Sequence, residues 1–284
     1  MVAAITVRPS RLPPSPGPSV LRHRIVVGDA RNLWFVPDES IQLVVTSPPY
    51  FNIKHYRPGN PDQLGDLQDY EEFLEQLDAV WAECRRVLTP GGRVCCVAGS
   101  VTVARRNGGR HHVLPLPSDI QVRARRAGLD SLTPIIWLKI GNIRLEASRS
   151  ARFLGKPNQP NGVVKNDIET IVMLRKSGYR KVSAEMAAGA HIPTEDYRRW
   201  FAPLWSDIPG ASTRKGHPAP YPVELANRLI RMFSFPGDTV LDPFVGSGTT
   251  TRAAALAGRN SLGVDIEPSY VSLASDACRA TRVG

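Results

Sequence analysis

The segment from Asp238 to Glu267, DTVLDPFVGSGTTTRAAALAGRNSLGVDIE, constrains the fold of this chain more than any other. A β-branched run ending at Asp242 leads into a turn with glycines at 246 and 248. A helix-forming stretch follows, and a second apolar run ends at Asp265. Strand, glycine turn, helix, strand and acid is the order of a nucleoside-binding unit in an open parallel sheet. Gly246 and Gly248 let the backbone approach a ligand closely, while Ser247, Thr249 and Thr250 offer hydroxyls to cap the helix or bind polar ligand groups. Asp265 stands where a carboxylate accepts both ribose hydroxyls of an adenosine. The turn lacks the GxGxxG spacing of a dinucleotide site and opens with the acid Asp242. A carboxylate there repels a pyrophosphate but can hold an ammonium group, directly or through water. The expectation moves from a nicotinamide dinucleotide to S-adenosylmethionine, with a tight turn needed only for helix packing as the plainer alternative.

The rest of the chain supplies a sheet for this unit. RIVVGD (Arg24 to Asp29) and IQLVVT (Ile41 to Thr46) are short β-branched runs that predict buried parallel strands. From Tyr70 to Leu88 apolar residues recur at helical spacing, and TPGG then stops the helix. RVCCVAG, LTPIIWLK and IETIVMLRK predict further strands, with a helix near Ser118 to Ala127. Two more helices, YPVELANRLIRMF and PSYVSLASDACRA, flank the glycine-turn unit. Such alternation gives an α/β fold, an open and mostly parallel sheet covered on both faces, which 284 residues are enough to build. The division expected is a disordered Pro/Ser-rich tail over 1–22, one half of the domain over 23–140, an irregular region over 141–215 containing a strand near 167–175, and the glycine-turn half over 216–284.

TSPPY, Thr46 to Tyr50, directly follows a predicted strand, where open α/β sheets bind ligands. Pro48 and Pro49 fix an extended turn, and their nitrogens donate no hydrogen bond, so nearby carbonyls stay free to accept. The amino group of a base is two N–H donors. Ser47 Oγ and the Pro48 carbonyl can accept both, and Tyr50 can stack on a base turned out of the duplex. A rigid loop with a packed tyrosine is the plainer alternative for this motif alone.

TSPPY at Thr46, HPAPYPVEL at His217 and DPFVGSGTT at Asp242 together make the chain resemble the S-adenosylmethionine-dependent DNA amino-methyltransferases, in the permuted order in which the catalytic motif comes first. The likeness runs from Arg24 to the C-terminus. It implies a Rossmann-like methyltransferase fold, circularly permuted, with a seven-stranded sheet and a small target-recognition region over 141–215. It implies Ser47, Pro48, Pro49 and Tyr50 as the catalytic segment. Asp242, Pro243, Phe244, Gly246, Ser247, Gly248, Thr249 and Thr250 become the cofactor cradle, with Asp265 on the ribose and Asp29 as acceptor for the adenine amino group. His217 and Pro218 match the motif beside the methionine part of the cofactor, although Ala219-Pro220-Tyr221-Pro222 stands where many relatives carry a lysine. Transfer would be direct, from sulfonium to nitrogen, without a covalent intermediate. In this family a serine before the two prolines accompanies N4-cytosine methylation more often than N6-adenine methylation.

A formal charge of +10 and a pI near 9.8 suit a polyanionic partner, here double-stranded DNA. Arg93 to Arg126 carries seven arginines against Asp119 alone, and ARRNGGRHH at its centre gives Arg105, Arg106 and Arg110 as phosphate contacts. Lys156 and Lys165 are the corresponding candidates in the irregular region. Trp137, Trp200 and Trp205 are open to base stacking, with a core position the expectation for Trp137. Cys84, Cys95, Cys96 and Cys278 form no metal-binding pattern, so no metal is expected, the reducing cytoplasm is the expected compartment, and Cys95 and Cys96 are packing residues. No stretch of the sequence is long and apolar enough for a membrane span. A companion restriction endonuclease and a monomeric or homodimeric state follow from the resemblance alone. Competing readings are an RNA or nucleotide methyltransferase, a DNA-binding module without catalysis on the same scaffold, and, more distantly, a nicotinamide-dependent oxidoreductase.

Overall fold

The computed structural model describes residues 4–6, 21–51, 62–103, 109–139, 166–210 and 221–280. The strands are β1 (Ala4–Thr6), β2 (His23–Val27), β3 (Ile41–Thr46), β4 (Leu88–Ala98), β5 (Val101–Val103) and β6 (His112–Leu114). They continue with β7 (Leu129–Ser131), β8 (Ile135–Leu138), β9 (Ile168–Lys176), β10 (Leu204–Trp205), β11 (Thr239–Asp242) and β12 (Asn260–Asp265). The helices are α1 (Tyr70–Val87), α2 (Leu116–Arg126), α3 (Ala184–Gly189), α4 (Thr194–Trp200), α5 (Val223–Phe233), α6 (Thr249–Leu256) and α7 (Pro268–Ala280).

One sheet runs β1-β2-β12-β11-β3-β4-β9-β8-β10, with β7 also paired to β9. Its seven-stranded body, from β2 across to β8, is the sheet the methyltransferase resemblance implies, and β1, β7 and β10 extend it. From β1 to β4 every pairing is parallel, whereas β9 is antiparallel to β4, β7 and β8. The strand before the glycine turn and the strand before TSPPY are direct neighbours, with Leu241 opposite Val44.

Alternation along each strand divides the core in two. Leu43, Val45, Cys95, Val97, Ile171 and Met173 face α5 and α6, where Leu225, Leu229, Ala253 and Ala254 are buried against them. Val44, Val94, Cys96, Val172 and Leu174 face the other way, onto α1 and α2 through Leu77, Trp81 and Ile120. Strands buried on both sides need continuous apolar runs, which is why β3 and β4 show no polar alternation. Cys95 and Cys96 therefore fill opposite halves of the core. Burial pushes the Cys84 and Cys95 thiols up to about 12 and Cys96 well above its ordinary value, so all three stay protonated packing groups. Helix α1 starts at Asp69, whose side chain accepts from the Glu72 amide at 2.9 Å.

Four expectations from the sequence change in detail. Residues 4–6 of the expected disordered tail pair with the open edge of β2, because that edge leaves backbone groups unpaired. TPGG follows the end of α1 as expected, but it already belongs to β4, which starts at Leu88 ahead of RVCCVAG, with a register shift opposite Ile41 to Leu43 where the glycines enter. LTPIIWLK becomes a strand only from Ile135, since Pro134 has no amide to give a ladder. The stretch after Ser177 holds α3, α4 and the two-residue strand β10, which seats Trp205 in the core. Trp137, Trp200 and Trp205 are all buried, and the indole N–H groups of Trp137 and Trp205 donate to the carbonyls of Ile208 and Trp200, so none is free to stack on a base. Among the described residues no helix is long and apolar enough to cross a membrane.

Candidate active site

Because β2, β12, β11, β3 and β4 run parallel, their carboxyl ends open on one edge of the sheet. Asp29 follows β2, Asp265 ends β12, Pro243 to Gly246 follow β11, and Ser47 to Tyr50 follow β3. They meet around one cleft of about 700 Å³, counted to its open mouth, that Asp62 to Gly65, Ile266 and Tyr270 also line. The reversed strand β9 brings its first residues to the same edge, opposite the end of β8.

Behind the cleft, Asp242 ties the motifs together. Its carboxylate accepts from Thr46 Oγ1 and Thr250 Oγ1, both at 2.7 Å, from the Phe244 amide at 3.1 Å and from the Tyr221 hydroxyl at 3.2 Å. Thr46 belongs to TSPPY, Tyr221 to HPAPYP and Thr250 to the glycine turn, so one buried carboxylate joins all three. Burial raises its pKa, against the pull of its hydroxyl and amide donors. This corrects the expectation that Asp242 meets the cofactor's ammonium group: it is 2 % exposed, its oxygens are already satisfied, and it is not among the cleft-lining residues.

The turn itself differs from expectation in a related way. No side chain caps α6; Ser247 Oγ lies 3.3 Å from Thr249 Oγ1, Thr250 turns inward to Asp242, and of this segment Pro243, Phe244 and Gly246 line the cleft. Gly248 begins the helix at φ +79°, and a Cβ there would come within 3.0 Å of Ala274 Cα and Cβ. Both features require glycine. Gly248→Ala is expected to cost about 2–3 kcal/mol and to lower Tm by roughly 4–10 °C in a thermal melt; an unchanged Tm would mean that α7 yields freely.

The wall formed by β2, β11 and β12 suits a nucleoside. Asp265 is partly buried, and its oxygens accept from the Gly246 and Glu267 amides, each at 3.0 Å. Burial nevertheless pushes its pKa up to about 6. Asp29 is held by Arg31, which donates from Nε to both carboxylate oxygens at 2.9 Å and from its amide at 2.9 Å, while Nη1 reaches Gln76 on α1. The same cleft is lined by the apolar surfaces of Phe244 and Ile266. Gln63 adds a buried Oε1 with no hydrogen-bond partner among the described residues. Two carboxylates for hydroxyl and amino donors, apolar surface in the same cleft and an unpaired acceptor fit an adenosine. Arg31 and Gln63 escaped the sequence reading because neither sits in a motif or a periodic run.

The opposite wall is Ser47 to Tyr50. Phe51, just after it, is buried against Tyr70 and Phe73, with ring centroids 5.2 and 5.4 Å away, and so anchors the loop on α1. The Tyr50 hydroxyl donates to Glu169 Oε1, and Lys139 Nζ pairs with the same oxygen. Glu169 also went unnoticed in the sequence; the signal that could have found it was an acid at an inward-facing position of an apolar strand.

Arg110 is exposed just before β6, whose hairpin with β5 follows the cleft end of β4. Arg105, Arg106, Lys156, Lys165, His217 and Pro218 lie outside the described residues. The count of seven arginines overstates one basic face. Arg93 sits in the middle of β4, stacked 4.6 Å above the Phe233 ring, and Arg123 pairs with Glu71 and Asp78 on α1.

Comparison with known proteins gives the same picture. A DNA methylase family model matches residues 41–276. The type II methyltransferase M.MthZI of Methanothermobacter thermautotrophicus is 34% identical over 273 residues, 88% of this chain and 75% of that protein. M.MjaI of Methanocaldococcus jannaschii, also a type II methyltransferase, is 34% identical over 276 residues, 87% of this chain and 88% of the relative. Among solved structures, a candidate DNA modification methylase of Thermus thermophilus, in complex with S-adenosyl-L-methionine, is 46% identical and superposes with a TM-score of 0.75 over 91% of this chain and 94% of that one. With its motifs gathered at one sheet edge and its sequence matched across most of its length, this chain belongs to the N6/N4 family of DNA methylases.

Proposed function

We propose that this protein transfers a methyl group from S-adenosylmethionine to the exocyclic amino nitrogen of a base turned out of double-stranded DNA, and that the base is cytosine, methylated at N4. The observation that carries this reading is the pairing of the two walls: Ser47 to Tyr50 faces Asp29, Phe244, Gly246 and Asp265 across one cleft. The cofactor supplies an electrophilic methyl group on its sulfonium. Asp265 would accept the ribose hydroxyls and Asp29 the adenine amino group, with Phe244 and Ile266 against the ring. On the other side, Ser47 Oγ and the Pro48 carbonyl would accept the two N–H groups of the target amine, which directs its lone pair toward the methyl. Tyr50 would hold the base by stacking, worth about 1–3 kcal/mol. Alignment is then the main source of rate, and no protein nucleophile is required. Cytosine is favoured by Ser47 at the position before the two prolines. Arg105, Arg106 and Arg110, with Lys156 and Lys165, would neutralise phosphates, and residues 141–215 would read the sequence.

The test is to incubate the protein with labelled S-adenosylmethionine and mixed-sequence DNA, digest the product and identify the labelled nucleoside by mass. N4-methylcytosine is expected, with at least roughly a tenfold loss for Ser47→Ala and Tyr50→Ala. Label in N6-methyladenine would move the substrate to adenine and keep the chemistry. Cofactor binding without label in any nucleoside would overturn the reading in favour of RNA or of a non-catalytic DNA-binding scaffold.

A further inference from the structure

We propose that Glu169 is a positioning residue for methyl transfer: through the Tyr50 hydroxyl it fixes the aromatic ring at the target side of the cleft, and Lys139 balances its charge. The inference rests on the reading above that Tyr50 meets the target base. On β9, Glu169, Ile171 and Met173 share one face by the period of two, and that face is otherwise apolar core against Trp137 and Trp205. The Glu169 side chain is only 6% exposed. A carboxylate at such a position is costly to desolvate, and pairing with a lysine seldom makes it a net source of stability. Its partners say what it does instead. One oxygen, Oε1, receives both the Tyr50 hydroxyl and Lys139 Nζ. Lys139 is itself steadied over the Trp137 ring, 5.3 Å from its centroid.

The backbone is shaped around this contact as well. A Cβ on Gly99, at the end of β4, would lie 3.3 Å from Glu169 Cγ and 3.7 Å from Tyr50 Cε1, so the absence of a side chain there lets carboxylate and ring meet. Two strands that carry none of the motifs, β4 and β9, thereby set the angle of a ring that TSPPY alone leaves on a two-proline turn. An aromatic held at its far end by a charge-assisted hydrogen bond receives a base without first losing ring freedom.

The experiment compares initial rates of label transfer to mixed-sequence DNA for the full chain and for Glu169→Ala, Glu169→Gln, Tyr50→Phe, Tyr50→Ala and the double variant Glu169→Ala/Tyr50→Phe, with cofactor affinity measured by calorimetry. Glu169→Ala and Tyr50→Phe are each expected to lose roughly tenfold to a hundredfold in kcat/KM, the double variant no more than either alone, and Glu169→Gln to recover most of the rate because it still accepts the hydroxyl. Cofactor affinity should not change. Glu169→Met, which fills the same volume with an apolar group, replaces the alanine variant if that one does not fold. Losses that multiply in the double variant, a parallel fall in cofactor affinity, or a wild-type rate for Glu169→Ala would overturn the proposal. Tyr50→Ala distinguishes the two levels: inactive beside normal Glu169 variants, it sinks only this inference; fully active, it sinks the placement of the base on Tyr50 as well.

Discussion

Replacing Asp242 by alanine is expected to destabilise the protein by about 3–5 kcal/mol and to lower Tm by of order 10 °C. The substitution removes the acceptor shared by Thr46, Thr250, Tyr221 and the Phe244 amide, and the first three are buried where solvent cannot replace it. Each donor left unpaired in the core costs about 1–3 kcal/mol, partly recovered as the hydroxyls turn toward other acceptors. Asp242→Asn should behave differently. Its oxygen can keep Thr46 and Phe244, while its amide donates to Thr250 and Tyr221, whose hydroxyls accept as readily as they donate.

The two variants also separate charge from shape. Burial holds the folded-state pKa of Asp242 above its unfolded value. A raised pKa means stability that is fully present below the unfolded value, near about 4, and is lost as pH rises through the folded one. Asp242→Asn should therefore lose less stability than wild type between acid and neutral pH. A fall in Tm as large for asparagine as for alanine would show that the charge, not the set of acceptors, joins the three motifs.

The second large effect is on cofactor binding. Asp265→Ala is expected to weaken S-adenosylmethionine binding by roughly a hundredfold to ten-thousandfold, since two hydroxyls would lose a charged acceptor and hydrogen bonds to charged groups are worth about 1.5–3 kcal/mol each. The pKa of Asp265 adds a pH signature. With the free protein's carboxyl at about 6, it is ionised at pH 7.5 and mostly protonated at pH 5. Because the ionised form is the better acceptor, binding should be flat above that pKa and fall below it, by about tenfold at pH 5. Calorimetry from pH 5 to 8 checks both points, and Asp265→Asn should flatten the curve. Affinity that stays constant down to pH 5 in the wild type would place the ribose on another group.

The glycine turn after β11 was visible in the sequence, yet its residues divide in the structure. Asp29, Phe244, Gly246 and Asp265 line the cleft, while Thr250 turns inward to Asp242. The turn's length and its glycines are visible in the sequence because they are local conformational demands. Which way a threonine points is decided by what β3 and α5 place beside it, and those elements are distant in the chain.

Apolar periodicity, proline, glycine and chain order act within a few residues. For that reason the α/β architecture, the coupling of TSPPY with DPFVGSGTT and the acids that close β2 and β12 were all legible in the linear chain. Other features were settled by folding. Asp242 is a buried junction, Arg31 reaches Gln76 on α1, and Glu169, 119 residues beyond Tyr50, holds its ring. These are contacts between segments that become neighbours only when the sheet forms. A buried polar group takes its role from whichever partners the register brings within hydrogen-bond reach.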